Sequence, residues 1–294
     1  MKSSIKGQVL AAAFAGCAAA GLVSTASAAV LDLTNANSSG TVAGDSSTGT
    51  VTYQNPVNNT NVGSGLIYPF LTVQKDGTES GFSTDATNPN LPLDTKRAGA
   101  TFTRTFALGD LQAINNNFLF FLDINEPASG DQPLLTLDKL VIYVTDSSGA
   151  VTLGKPNTLA DLASQGWTNV YSLDTATTDN TVLLNYSALG SGSGVGIDME
   201  MLVPTSLFAG LDPTFRVVFA TEFGMSGTAN GSDSGDGFEE WAAVLGQGPN
   251  NQCPPGAPGT YPDCFPNQGI PEPGSLALLG LALAGLSVFR RRHA

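Results

Sequence analysis

Apolar residues in the central part of the chain recur in short runs of period two, and turn-forming residues separate the runs. "GLIYPFLTVQ" (65–74), "ATFTRTFAL" (100–108), "NFLFFLDI" (117–124), "KLVIYVTD" (139–146), "VYSLD" (170–174), "TVLLNYS" (181–187), "GIDMEMLV" (196–203) and "FRVVFATEF" (215–223) are each of strand length. All are rich in β-branched or aromatic residues, which fit a pleated, half-buried surface. Their spacing, with Gly, Asp, Asn and Ser between them, is that of an all-β sandwich. The alternation is clearest where Val195, Ile197, Met199 and Met201 interleave with Gly196, Asp198, Glu200 and Leu202. One face of that strand is apolar and the other mostly acidic. Helix is scarce. Its best candidate is "NTLADLASQGW" (157–167), with Leu159, Leu162 and Ala163 at helical spacing, Asn157 or Thr158 as cap and Gly166 as stop. The expected fold is all-β, a single jelly-roll-like β-sandwich ectodomain.

Both ends depart from this pattern. Residues 1–28 have two lysines, Lys2 and Lys6, then an uncharged Ala-rich run and Ala26-Ser27-Ala28. That is the architecture of a secretory signal peptide cleaved after Ala28. Phe14-Ala15-Gly16-Cys17 offers a lipoprotein-type alternative, but the apolar run continues past Cys17 to a small-x-small site. Residues 29–63 form a lead-in rich in Ser, Thr, Asn and Gly, read as loop, short edge strands or partly disordered chain. The β-sandwich body covers 64–245, and a Pro/Gly-rich linker follows at 246–269. The last segment is 270–294.

Charge narrows the partners. With the lysines of the leader, Glu272 and the arginines of the tail set aside, the stretch from Ala29 to Ile270 holds seven basic and 24 acidic residues, a net charge of −17. Such a surface repels phosphate, so no nucleic-acid partner is expected. The one histidine, His293, stands in the tail. Histidine-based nucleophilic triads, His-type zinc sites and haem ligation are therefore excluded from the body. Cys253 and Cys264 in the linker are an even pair in an exported chain, which favours a disulfide. Closing so short a loop would stabilise by on the order of 3 kcal/mol. A metal site there would lack further Cys or His.

Gly274 to Phe289 is a run of 16 residues without charge. As a helix it would reach about 24 Å, a little short of a hydrocarbon core of about 30 Å, a gap that local thinning can bridge. It is apolar all round and is followed at once by Arg290, Arg291 and Arg292, which would hold the tail on the cytoplasmic side. The body then lies outside the inner membrane, as the leader independently requires. Pro271-Glu272-Pro273 precedes the span, and its prolines keep the tripeptide extended and outside the helix.

Pro271-Glu272-Pro273 with the span and arginines, together with "FFLDINEP" (120–127), "LLTLDKLVIY" (134–143), "GSGSGVGIDMEMLVPTSLF" (190–208) and "SGDGFEEWAAVL" (234–245), resembles exported bacterial proteins that carry a PEP-CTERM sorting segment and a β-rich body. The terminal segment is the more specific part, and Val195-Gly196 departs from the group, where an acidic residue is usual. The resemblance implies recognition of residues 271–273 by a membrane-embedded exosortase and removal of 274–289 and 290–292. It also implies delivery to the cell surface or an exopolysaccharide matrix, as in a biofilm. It implies no defined activity for the body, which is expected to be non-enzymatic and without an obligatory cofactor.

Two chemistries remain open beside a structural role. Asp123, Glu126, Glu239 and Glu240 could supply paired carboxyls for glycoside hydrolysis. The plainer reading makes Phe238 and Trp241 core anchors and leaves Glu239 and Glu240 solvated or paired. Calcium is the second chemistry, with Asp123, Glu126, Asp233, Asp236 and Glu239 as hard oxygen ligands. The EF-hand pattern fails, since Ser232 and Ser234 stand where acidic ligands belong, and ordinary turn chemistry explains the same loops. A carbohydrate-binding module would instead need exposed aromatics, with Trp167, Tyr171 and Tyr186 as candidates. The glycine run 189–196 lacks the context of a nucleotide loop.

Overall fold

Alternating runs become strands here where each of their two faces finds a partner. A computed structural model of the chain describes residues 27–45, 49–56, 69–96, 102–126, 133–188, 197–225, 233–235 and 237–245. In chain order the strands are β1 (Ser27–Asp32), β2 (Ser39–Val42), β3 (Val51–Gln54), β4 (Leu71–Val73), β5 (Asp76–Gly77), β6 (Glu79–Phe82), β7 (Phe106–Ala107), β8 (Ala113–Ile114), β9 (Asn117–Asp123), β10 (Leu134–Val144), β11 (Thr168–Ser172), β12 (Thr178–Asn185), β13 (Met199–Pro204), β14 (Arg216–Phe223), β15 (Ser234–Gly235) and β16 (Glu239–Ala243). The protein is mostly β, with one short α-helix, α1 (Leu159–Leu162), among the described residues.

One sheet runs β1-β12-β10-β14-β6, with β11 also on β10 and β7 on β14. The second runs β2-β3-β13-β9-β16-β4, with β8 on β9, while β5 and β15 make a separate two-stranded ribbon. Strand β1 is parallel to β12, whereas the central pairs are antiparallel.

The inward faces of the two sheets share one core. Phe120 of β9 meets Phe219 of β14 with ring centroids 4.6 Å apart, and Phe219 meets Trp241 of β16 at 5.6 Å. Phe70 closes edge-on against both Phe106 and Phe219 at 5.0 Å. Rings of this size dominate the apolar area removed from water, and edge-to-face contact adds to that burial. The outer face of the first sheet is covered as well. Phe82, Tyr143, Val218 and Ala220 there pack with Val151 and Leu162, and Trp167 lies against them. The helical turn that carries Leu162 starts at Thr158, whose N–H and Oγ1 both donate to Asp161 Oδ2, at 2.7 and 2.8 Å. It ends at Gly166, where φ of 77° suits glycine.

Several sequence expectations change. The lead-in supplies β1, β2 and β3; β1 and β2 are short strands at the ends of their sheets, as expected, whereas β3 lies between β2 and β13 and is not an edge strand. Val51 and Tyr53 bring its side chains into the core. A leader cleaved after Ala28 would cut within β1 and leave Ala29–Asp32 paired with Asn180–Leu183. Among the described residues of 100–108, only Phe106–Ala107 forms a strand. The residues just before it bond to loops instead, with Arg104 N–H donating to Phe70 O and Thr105 N–H to Asp85 Oδ1. The acidic face of β13 is not solvated, because Asp198 and Glu200 are each only 7 % exposed. Asp198 Oδ2 accepts the Ile124 N–H and Glu200 Oε2 accepts from Gln54 Nε2, both at 2.9 Å.

Candidate functional site

Strand parity decides which carboxyls can meet. On β9, Phe118, Phe120 and Leu122 face the shared core, and the same parity carried past the strand end brings Ile124 and then Glu126 inward. On β16, Trp241 and Ala243 face the core, so Glu239 does too, whereas Glu240 shares the outward side with Ala242 and Val244. On β6, Phe82 belongs to the outer cluster, which turns Glu79 inward. The three strands thus aim Glu79, Glu126 and Glu239 at one place.

That place is the flank where β4 and β6, the last strands of their sheets, come together. Strand β6 is in register with the end of β14 through Glu79 and Phe223, and β16 is in register with β4 through Glu239 and Val73. The β5–β15 ribbon closes the corner, with Ser234 opposite Gly77 and Gly235 opposite Asp76. Two close approaches hold the loops in place. Gly237 lies so near the Asn125 backbone that a side chain there would collide with its carbonyl, and Asn125 Nδ2 donates to Phe238 O at 2.9 Å. These contacts dock Gly237 and Phe238 on the segment 124–126 and bring Glu239 beside Glu126.

Within the corner Glu79 and Glu239 are fully buried, and Glu126 is 3 % exposed. One oxygen of each outer carboxyl is satisfied: Lys75 N–H donates to Glu79 Oε2 at 2.8 Å, and Gly235 N–H to Glu126 Oε2 at 2.7 Å. Glu79 Oε1, Glu126 Oε1, both oxygens of Glu239 and the buried Ser234 Oγ have no hydrogen-bond partner. Burial pushes the Glu79 carboxyl up to about 7, against the opposing pull of a proton shared with Glu239 and of the Lys75 N–H. Burial raises Glu126 in the same direction, and the Gly235 N–H works against it. Glu239 goes well above the ordinary carboxyl range, first through burial and then through the two glutamates beside it. Ion pairs among the described residues join Lys75 to Asp94, Lys139 to Glu222 and Arg216 to Asp85, and none of them reaches this corner.

Of the predicted calcium ligands, the structure brings Glu126 and Glu239 together, and the charge of Asp233 bears on Glu126. Asp236 lies outside the described residues. Asp123 does not join them. It stands on the outward face of β9, in register with Glu240, because the residues of a strand alternate sides. Burial next to Glu240 lifts its carboxyl to about 7, and Asp198 behind it rises through burial first and then the charge of Asp123. Glu239 and Glu240 are accordingly buried, not solvated. Glu79 is the member that sequence reasoning missed. Only the long-range pairing of β6 with β14 places it, and nothing within "DGTESGF" distinguishes it from a surface glutamate.

The candidate binding aromatics serve packing. Tyr171 is fully buried, Tyr186 packs against the main core, and Trp167 lies edge-on to Tyr143 at 6.2 Å.

The terminal segment lies outside the described residues, and its sequence alone speaks for it. Residues 269–292 match the family model of the PEP-CTERM protein-sorting motif. The chain carries a PEP-CTERM sorting segment. No curated protein and no solved structure matches the chain. The PEP-CTERM match spans Pro271-Glu272-Pro273, the apolar run 274–289 and Arg290 to Arg292, and it marks an exported protein handled by an exosortase. No helix among the described residues is long and apolar enough to cross a membrane. Both the run 274–289 and the cysteines Cys253 and Cys264 fall outside them.

Proposed function

We propose that this chain is a non-enzymatic structural or adhesive component of the cell envelope or extracellular matrix. The single observation that carries this reading is the PEP-CTERM match at residues 269–292. In this account the signal peptide exports the chain and residues 274–289 hold it briefly in the inner membrane with the arginines inside. An exosortase-type enzyme then recognises Pro271 to Pro273 and releases the body toward the surface, where an exopolysaccharide is the natural partner.

The body is best read as a β-sandwich of jelly-roll type. Taken in chain order, the principal strands β4, β6, β9, β10, β12, β13, β14 and β16 divide four to each sheet. Their orders, β12-β10-β14-β6 and β13-β9-β16-β4, are those of two interlocked Greek keys. A non-enzymatic role accords with the burial of the convergent carboxyls, since Glu239 at 0 % exposure offers no surface to a sugar ring. Of the candidate aromatics Tyr171 is fully buried, and the half-buried Tyr186 and Trp167 pack against the apolar clusters, which favours a scaffold over a glycan platform.

Replacing Pro271, Glu272 and Pro273 together by alanine is expected to leave the chain in the inner-membrane fraction. The unaltered protein is expected at the surface or in the matrix. Equal distribution of the two forms on cell fractionation would overturn the sorting account.

A further inference from the structure

The unpartnered oxygens at the β4–β6 corner form a set with a definite chemical preference. Glu79 Oε1, Glu126 Oε1, Glu239 Oε1 and Oε2, and Ser234 Oγ are five buried oxygens without partners. Two observations separate this corner from a chance gathering of acids. Glu239 is fully buried between Glu79 and Glu126, and while the three are ionised neither of its oxygens has a donor. Ser234, outside the acidic set and 2 % exposed, keeps its hydroxyl beside Glu126 without a hydrogen bond of close geometry. Buried polar atoms are nearly always bonded, so five at one corner point to a missing guest.

We infer that Glu79, Glu126, Glu239 and Ser234 form a calcium site at the corner where the two sheets and the β5–β15 ribbon meet. All the available donors are hard oxygens. A bidentate Glu239, one oxygen each from Glu79 and Glu126 and the Ser234 hydroxyl supply five positions, and main-chain carbonyls or water complete the six to eight that calcium takes. Magnesium fits poorly, because it demands a near-ideal octahedron and keeps several of its waters. Transition metals prefer nitrogen or sulfur, and the body has no histidine.

No group of three His, Cys, Asp or Glu among the described residues is placed to hold a metal ion as it stands, so binding requires Glu79, Glu126 and Glu239 to move together onto the ion. That movement ties β6, the turn after β9 and the start of β16 together, and these belong to different sheets. Calcium is therefore a clasp between the sheets at the flank where β4 and β6 meet. The site retains Glu126 and Glu239 of the predicted ligands, discards Asp123 and adds Glu79 and Ser234.

The test uses the full chain in detergent near neutral pH. Calorimetric titration with calcium chloride is expected to show one ion per chain, with Kd near the range of about 10⁻⁴–10⁻³ M usual for extracellular modules. Thermal unfolding should move to higher temperature in calcium than in chelator, and much less in magnesium. Glu239→Gln should weaken calcium binding at least about tenfold, because a charged bidentate ligand is lost. If that variant does not fold, Glu79→Gln serves with the same readouts. No calcium heat and an unchanged transition in the unaltered chain would overturn the site, leaving three carboxyls that merely share protons. Full calcium affinity in a folded glutamine variant would overturn it equally, as would an equal response to magnesium.

Discussion

The core buries polar groups at two flanks, and they meet opposite ends. At the β3 and β11 flank, Tyr53 and Tyr171 are fully buried and their hydroxyls lie 2.8 Å apart. At the β4 and β6 flank, Glu79, Glu126 and Glu239 leave four carboxylate oxygens without a partner. A phenol both donates and accepts, so two of them complete each other. Ionised carboxylates only accept, so three of them cannot. The tyrosine contact is a finished piece of structure, whereas the glutamate corner is complete only with protons or a cation in it. Burial lifts the proton affinity at both places, and hence says little about which of the two serves a function.

The largest expected effect breaks neither flank but the wall between them. Phe219→Ala removes the ring that touches Phe70, Phe120 and Trp241, and should cost about 3–5 kcal/mol in urea unfolding. The loss should be the same in calcium and in chelator. A loss that depended on calcium would mean that the core and the corner are one cooperative unit, and the contrast drawn above would fail.

A second effect separates the corner from the carboxyls outside it. Asp123 stands at about 7 in the fold against about 4 in an unfolded chain. Its contribution is therefore fully present below about pH 4 and is lost as pH rises through about 7. In Asp123→Asn that loss disappears, so stability should fall less between pH 4 and 7 than in the unaltered protein. The difference should reach at most about 4 kcal/mol. An unchanged pH slope would show Asp123 ionised in the fold, with a cationic neighbour that the account does not provide.

The smallest effect lies at the tyrosine flank. Tyr53→Phe leaves the Tyr171 hydroxyl buried and alone, at a cost of about 1–3 kcal/mol. Changing both to phenylalanine should recover most of it, because the two orphans vanish together. Additive losses in the double-mutant cycle would show the hydroxyls to be independent.

Much of this was legible in the chain, within limits set by how local each signal is. The runs at 117–124 and 215–223 alternate against a covered core and are strands β9 and β14. Strand β16 escaped because both its faces are covered. Every residue from Glu239 to Ala243 is buried, so no polar alternation marks it. The run 100–108 shows the opposite failure, a strand-like pattern without a strand partner. Loops take the backbone bonds of Arg104 and Thr105, so pairing begins only at Phe106. Grouping Asp123 with Glu126 was an error that parity could have caught, since positions three apart in an extended segment face opposite ways. Glu79 could not have been found in that way. It reaches the corner through the pairing of β6 with β14, a strand far along the chain.

The terminal segment is the reverse case, fully readable because its signals are contiguous: a tripeptide, an apolar run and three arginines. The account rests on that segment being an address which the finished protein no longer carries. Mass spectrometry of the C-terminus of the surface form tests this directly. The account predicts a chain that ends at or beside Pro271 to Pro273 and lacks residues 274–294. A surface form that still ends at His293-Ala294 would contradict it.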